Sequence, residues 1–208
     1  MAFNIKDFSS TVNRSGGLAT SNLFVMSITN PPRSNFSNRF ETEDARELSF
    51  LCRTVSIPGM ELSTAEISPS GFGHKHRSPI GMQHGQLTAV FMVNSNFNTL
   101  SYFQKWMQSI INFDSEGGSF GDEYLMSYKD DYSTTITVDV YGKQENSNAY
   151  RYTFSNAYPT NTGEIQLAWE NQAEIMTLPV TFTYDYMTTT GLSGSLSSFG
   201  DDPFRFFA

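Results

Sequence analysis

The sequence predicts a mainly β domain: an antiparallel β-sandwich or barrel-like fold with one packed α-helix and one long β-hairpin. Three observations lead there. Run after run places apolar or aromatic residues at every second position, the signature of a strand with one buried and one wet face. Aromatic residues reach 14% of the 208, with Phe 18 and Tyr 10, against only 16% charged residues, and aromatic side chains suit a pleated surface. Only one stretch recurs at three and four residues, as an amphipathic helix does.

Residues 1–20 are polar and read as a flexible N-terminal arm, with the folded domain spanning 21–187. Leu23–Ile28 is a short strand that stops at Asn30-Pro31-Pro32, and residues 33–47 read as a polar loop. Leu48, Phe50 and Cys52 alternate, then Val55 and Ile57 continue one step out of phase, as a β-bulge would make them. Residues 64–94 read as a long hairpin. Its tip is rich in Gly, Pro and basic residues, and its clear arm carries Leu87, Ala89, Phe91 and Val93. Leu100, Phe103, Trp106, Met107, Ile110 and Ile111 then share one face of a helix over 98–113, with Asn98 as its N-cap. Tyr132, Thr134, Ile136, Val138 and Val140 alternate again. Three further strands follow in Tyr150–Tyr158, Ile165–Trp169 and Val180–Tyr186, before a Thr, Gly and Ser linker and an aromatic tail over 188–208.

Composition excludes several functions. The net charge is -8, whereas proteins that hold nucleic acid directly present a basic face to the phosphates. One cysteine, Cys52, allows neither an internal disulfide nor a thiolate zinc site. The first ten residues lack the charged start and apolar core of a secretion signal, and no apolar run approaches the ~18 residues of a membrane span. The chain is therefore expected to be made in a cytoplasm and not to insert into a membrane. His74 and His76 would share a strand face, with His84 further on, but no Cys, Asp or Glu of the hairpin completes a metal set. Asp130-Asp131 and Asp201-Asp202 are adjacent pairs, which on a strand point apart and make poor acid–base partners. No nucleophile elbow and no phosphate loop appears. The residues therefore predict no catalytic site, no metal and no cofactor.

The block Tyr158-Pro-Thr-Asn-Thr-Gly-Glu-Ile-Gln-Leu-Ala-Trp-Glu-Asn171, with Glu174-Ile175 and Val180-Thr-Phe-Thr-Tyr-Asp-Tyr186 after it, resembles the C-terminal signature of tail tube proteins of contractile-tailed bacteriophages. Asn22–Val25, Phe50–Pro58 and Phe103–Trp106 agree with that family in order, so the resemblance covers roughly residues 20–187. It implies a tail tube fold whose subunits form hexameric rings stacked into a hollow tube. Its implied partners are further copies of itself, the tail sheath protein, and baseplate and tube-terminator proteins. Genomic DNA would pass through without specific binding, and the location would be the virion tail, assembled in the host cytoplasm. Residues 29–48 and 114–131 look expanded and a tail follows Tyr186, which leaves a sister role open: a baseplate-proximal tube initiator or a tube terminator. A carbohydrate-binding β-sandwich is the alternative from another class, since exposed Tyr and Trp beside Asn and Asp suit sugars.

Charge suggests how rings would meet. The hairpin carries Lys75 and Arg77 against Glu66 alone, while residues 114–131 carry Asp114, Glu116, Asp122, Glu123, Asp130 and Asp131 against Lys129. The basic tip is expected to dock on the acidic loops of the next ring, setting register more than affinity. A bore that is negative or merely polar would let phosphates slide. Phe204, Phe206 and Phe207 could anchor the C-terminal tail on a neighbour, with a disordered end as the equal alternative.

Overall fold

The computed structural model describes residues 4–14, 17–31, 42–67, 75–111, 126–142, 149–169 and 174–192. Its centre is one long strand shared by two sheets. In the first sheet, β1 (Phe24–Ile28) pairs with β6 (Thr134–Val140), which pairs with the N-terminal half of β7 (Ala149–Thr162), and β9 (Tyr186–Leu192) lies along the other side of that half. In the second sheet, the C-terminal half of β7 pairs with β8 (Thr177–Thr183), followed by β5 (Leu87–Met92) and β2 (Cys52–Ser56). Every ladder is antiparallel, and the hydrogen-bonded path ends at β1 and β2 without closing a barrel.

β7 changes sheets at Asn156. That residue has φ 55°, a left-handed backbone that Asn adopts more readily than most side chains. Phe154 is buried on the N-terminal side, and Ala157 and Pro159 on the C-terminal side, so the inward phase slips by one residue across the bend. The β6 ladder shifts register at the same place, from Thr134↔Ala157 to Ile136↔Phe154. This is how a bulge turns a strand from one sheet into the next. The facing strand breaks in step. β8 and β9 run along the same edge of β7 and part only at Tyr184–Asp185, where the Asp185 N–H donates to the Ser155 carbonyl at 3.1 Å. The Asp185 carboxylate accepts from Asn156 Nδ2 at 3.0 Å and from the Lys129 ammonium.

One core fills the space between the sheets. Met26, Ile136, Val138 and Phe154 face it from the first sheet; Leu87, Ala89, Phe91, Val180 and Phe182 face it from the second. α3 (Asn98–Ile110) presents Tyr102, Phe103, Trp106 and Ile110 to this core. Phe103 packs on Phe91 at 5.0 Å between ring centroids, and Trp106 on Phe182 at 6.1 Å. The buried Trp106 indole N–H donates to the Tyr132 carbonyl at 2.9 Å, which ties α3 to the short helix α4 (Lys129–Tyr132) leading into β6. The amphipathic spacing thus predicts the helix, but both ends differ: it stops at Ile110, and Ile111, expected on its packed face, is extended and exposed. Phe97 is the cap residue, and the Asn98 N–H bonds to the side chain of Asn94 at 2.9 Å.

Several expectations need correction. Residues 5–14 of the expected arm form helix α1 (Ile5–Arg14), which buries nothing; Ile5, Phe8 and Val12 recur on one face of it, a helical period overlooked among the Ser, Thr and Asn around them. Residues 42–51, read as loop and strand, form helix α2 (Thr42–Leu51). Leu48 is buried and Phe50 exposed, a difference that fits a helix and not a strand, where the two would share a face. The bulge itself is real: the β2–β5 register shifts between Cys52 and Thr54. The projecting hairpin is β3 (Met60–Ile67) with β4 (His76–His84), whereas the expected arm at 87–93 belongs to the main sheet as β5. Ile165–Trp169 is not a strand; only Ile165 packs against the core. The expected linker begins later, because β9 continues to Leu192.

Two predictions follow from the corner. Gly163 ends β7 with its N–H on the Pro179 carbonyl at 2.7 Å, and a Cβ there would sit 2.6 Å from Pro179 Cγ. Gly163→Ala is expected to lower stability by about 1–3 kcal/mol in urea unfolding, the usual range for overpacking. Lys129 first and Asn156 second hold the Asp185 carboxyl below its ordinary value. A depressed carboxylate stabilises the fold above its unfolded value of about 3.9, and that contribution fades as pH falls through the lower folded value. Asp185→Asn should therefore be less stable than the parent at pH 7, and the gap should narrow in thermal melts at the acid end. A gap independent of pH would contradict the assignment.

Candidate assembly surfaces

The β3–β4 hairpin shares no ladder with the main sheet. It joins the core only through residues 57–59 and 85–86, both stretches containing a glycine. Nearly all of its residues are exposed on both faces. Leu62 pairs directly with Met82, and Met60, two residues away, lies on the same face. Leu62 is 61% exposed and the neighbouring Ile80 69%. A row of large apolar side chains in water, on a ribbon with two free edges, is not how an isolated domain protects itself.

At the hairpin's outer end, Lys75 Nζ lies 3.0 Å from Glu66 Oε2 and Arg77 Nη2 lies 3.0 Å from Oε1. The Lys75 bond first, then the Arg77 bond, hold the Glu66 carboxyl below its ordinary range. One carboxylate between two cations leaves the tip positive. Of the acidic residues expected to meet it, Asp130 and Asp131 lie on α4. Asp114, Glu116, Asp122 and Glu123 fall outside the described residues, as do His74 and the aromatic residues Phe204, Phe206 and Phe207. Where the hairpin leaves the core, His84 Nδ1 and the Tyr184 hydroxyl are buried without a hydrogen-bond partner, their rings 6.1 Å apart.

A second surface was not legible in the sequence as one. The segment after β7 folds back along the outer side of the second sheet, leaving a cleft of about 450 Å³ lined by Glu164, Leu167, Glu174, Ile175, Val90 and Pro179. Trp169 is fully exposed beside it, at 102%. The strand-like alternation of Ile165, Leu167 and Trp169 concealed that two of the three point away from the core.

Chemistry is sparse elsewhere. Among the described residues no three His, Cys, Asp or Glu side chains are grouped to hold a metal ion. No described helix is long and apolar enough to cross a membrane. Burial pushes the Cys52 thiol up to about 12, with its Sγ 3.8 Å from Met26 Sδ. Asp139 and Arg151, direct partners across β6 and β7, form a two-pronged bond at 2.6 and 2.9 Å that braces the outer face of the first sheet.

Comparison with known proteins agrees with this arrangement. Residues 19–190 match the family model described as phage tail tube protein. The tail tube proteins gp19 of Enterobacteria phages T6 and T4 are each 24% identical to it over 152 residues, which span 72% of this chain and 88% of theirs. Among solved structures, the fold is shared with a chain of an extracellular contractile injection system's sheath–tube complex in the extended state. The TM-score is 0.52 at 12% identity, covering 91% of this chain and 99% of that one. It is shared also with a chain of the anti-feeding prophage baseplate, at TM-score 0.53 and 11% identity, covering 84% and 97%. The prophage's tube-terminating cap gives 0.52 at 13% identity, covering 84% and 91%. With the Tyr-Pro-Thr to Trp-Glu-Asn block inside the matched span and an open antiparallel sandwich carrying it, the chain belongs to the tail tube protein family of contractile-tailed bacteriophages.

Proposed function

We propose that this chain is the repeating subunit of the inner tube of a contractile phage tail, assembling as hexameric rings that stack and conduct DNA during ejection. The family is structural rather than enzymatic, and tail tube proteins are part of the virion tail. The observation that carries the reading is the unfinished subunit: a sandwich open at its strand edges, with a hairpin whose apolar face finds nothing to cover it among the described residues. Heterologous contacts between copies close such edges and generate rings. The family assignment replaces the carbohydrate-binding alternative.

The sheath, the baseplate and a terminator are the proposed partners. The structural relatives include chains from a sheath–tube complex, a baseplate and a tube cap, which is the company such a subunit would keep. Between rings, the positive hairpin tip meets the acidic segment around Asp130 and Asp131 on the next ring. Glu66 moderates that attraction, so charge sets register rather than supplying most of the affinity. The acidic balance of the chain keeps phosphates moving through the bore rather than holding them.

Negative-stain microscopy of the purified protein tests the reading: rings and tubes are expected, and a persistent monomer would overturn it. In the same assay the double variant Lys75→Glu/Arg77→Glu should form rings that do not stack at moderate salt. Adding Glu66→Lys restores attraction within the hairpin but keeps the tip negative, so stacking should still fail. Normal tubes from the triple variant would remove the tip from the inter-ring contact.

A further inference from the structure

Helix α1 and the cleft beside Trp169 are complementary surfaces. α1 carries Ile5, Phe8 and Val12 on one face, yet no residue of the helix is buried; Ile5 is 73% and Phe8 51% exposed. Helices this short are marginal in water and take most of their stability from packing an apolar face. The helix is nonetheless closed at its end, where the Gly17 N–H donates to the Val12 carbonyl at 2.9 Å and Gly17 takes φ 99°. α1 also precedes residues 19–190, the span that matches the family model, so the shared fold does not account for its apolar face. The cleft is the converse surface. Its volume is about 450 Å³, its apolar wall is Leu167, Ile175 and Pro179, and Glu164 and Glu174 supply negative charge.

Resting on the tube reading, we propose that α1 of one subunit seats its Ile5–Phe8–Val12 face in the Leu167–Ile175 cleft of a copy in the next ring. Charge favours this pairing. α1 carries Lys6 and Arg14 against Asp7. The two cations sit off the apolar face near its two ends, with stems long enough to reach around the helix to Glu164 and Glu174. The other exposed apolar surface, the hairpin row of Leu62, Ile80 and Met82, is a ribbon rather than a groove. It ends in the positive tip of Lys75 and Arg77, which repels a positive helix. Position favours another copy over the helix's own. β1 follows α1 and starts at Phe24, opposite Val140, which lies opposite Tyr150 near the start of β7. The cleft opens past the far end of β7, at Glu164 and Pro179. These points lie roughly 40 Å apart along the strand, whereas the tether from Gly17 to Leu23 reaches at most about 20 Å. Helix and cleft thus mark opposite ends of β7. A contact between them is head-to-tail, and its repetition extends a stack.

Two surface variants test this in the full chain, Phe8→Asp on the helix and Ile175→Asp in the cleft. Both side chains are exposed in the subunit, so its thermal melt should not change. Each variant should still form rings, but the concentration needed for tube growth should rise at least roughly tenfold, the equivalent of one apolar side chain left unburied. Normal tube growth by both variants would overturn the inference and leave the tube reading intact. Parent protein that forms no rings would sink both. Disulfide trapping then identifies the copy. Cys52, buried and weakly acidic, stays silent. Phe8→Cys and Ile175→Cys proteins, mixed, assembled and mildly oxidised, should give linked dimers absent from either protein alone, and the double variant should give a ladder of linked chains. A double variant running as an internally linked monomer would show that α1 fills its own cleft, and tubes without any link would show that the helix lies elsewhere; either result would overturn the inference.

Discussion

A single constraint organises the molecule: β7 must belong to two sheets. A 14-residue strand cannot lie flat in both layers of a sandwich, so it bends, and Asn156 takes a left-handed backbone to let it. The bend slips the inward phase by one residue, which places Phe154 and Ala157 on the same core despite their odd spacing. β8 and β9 must break where β7 bends, and Asp185 holds that break closed through Asn156 and Lys129. Lys129 also lies 5.9 Å from the centre of the Tyr158 ring, so α4 is pinned to the same corner. From there Trp106 reaches back to Tyr132 and brings α3 onto the core.

The same bend produces the open surfaces. Because β9 turns away from the second sheet with β7, it carries on past the end of β5 and gains no second neighbour among the described residues. The hairpin that could have run beside it instead leaves the body on two glycine-containing stalks. Burial within one copy is complete for the aromatic cluster and poor for Leu62, Ile80, Leu167 and Trp169. That division, a finished core beneath unfinished edges, is what a subunit of a closed assembly needs. Stability of the core is then separable from the satisfaction of the edges.

The sequence made visible whatever is enforced by a buried face. β1, β6, β8 and α3 announce themselves because Met26, Ile136, Val138, Val180, Phe182, Phe103 and Trp106 recur at the period of their element. α2 escaped because Leu48, Phe50 and Cys52 satisfy a strand pattern while the inward spacing of a helix is equally met by Ala45 and Leu48. β9 escaped for the opposite reason: its order comes from a backbone ladder, and exposed Thr side chains leave no hydrophobic period to read. Leu167 and Trp169 misled because alternation says that residues share a face, not that the face is buried. The basic pair Lys75 and Arg77 was legible from composition, but its bonds to Glu66 required the cross-strand register of the hairpin. The resemblance of the Tyr158–Asn171 block gave the family, and Gly163 within it shows one physical reason for its residues, a close approach to Pro179.

The central claim is that strand edges left open in one copy are satisfied by others. Amide hydrogen exchange, compared between dilute subunit and assembled protein, tests it most directly. Amides of β3 and β9 should exchange quickly in the free subunit and slowly after assembly, while those of β5 and β8 stay protected in both. Equal protection of β3 and β9 in the two states would contradict the account.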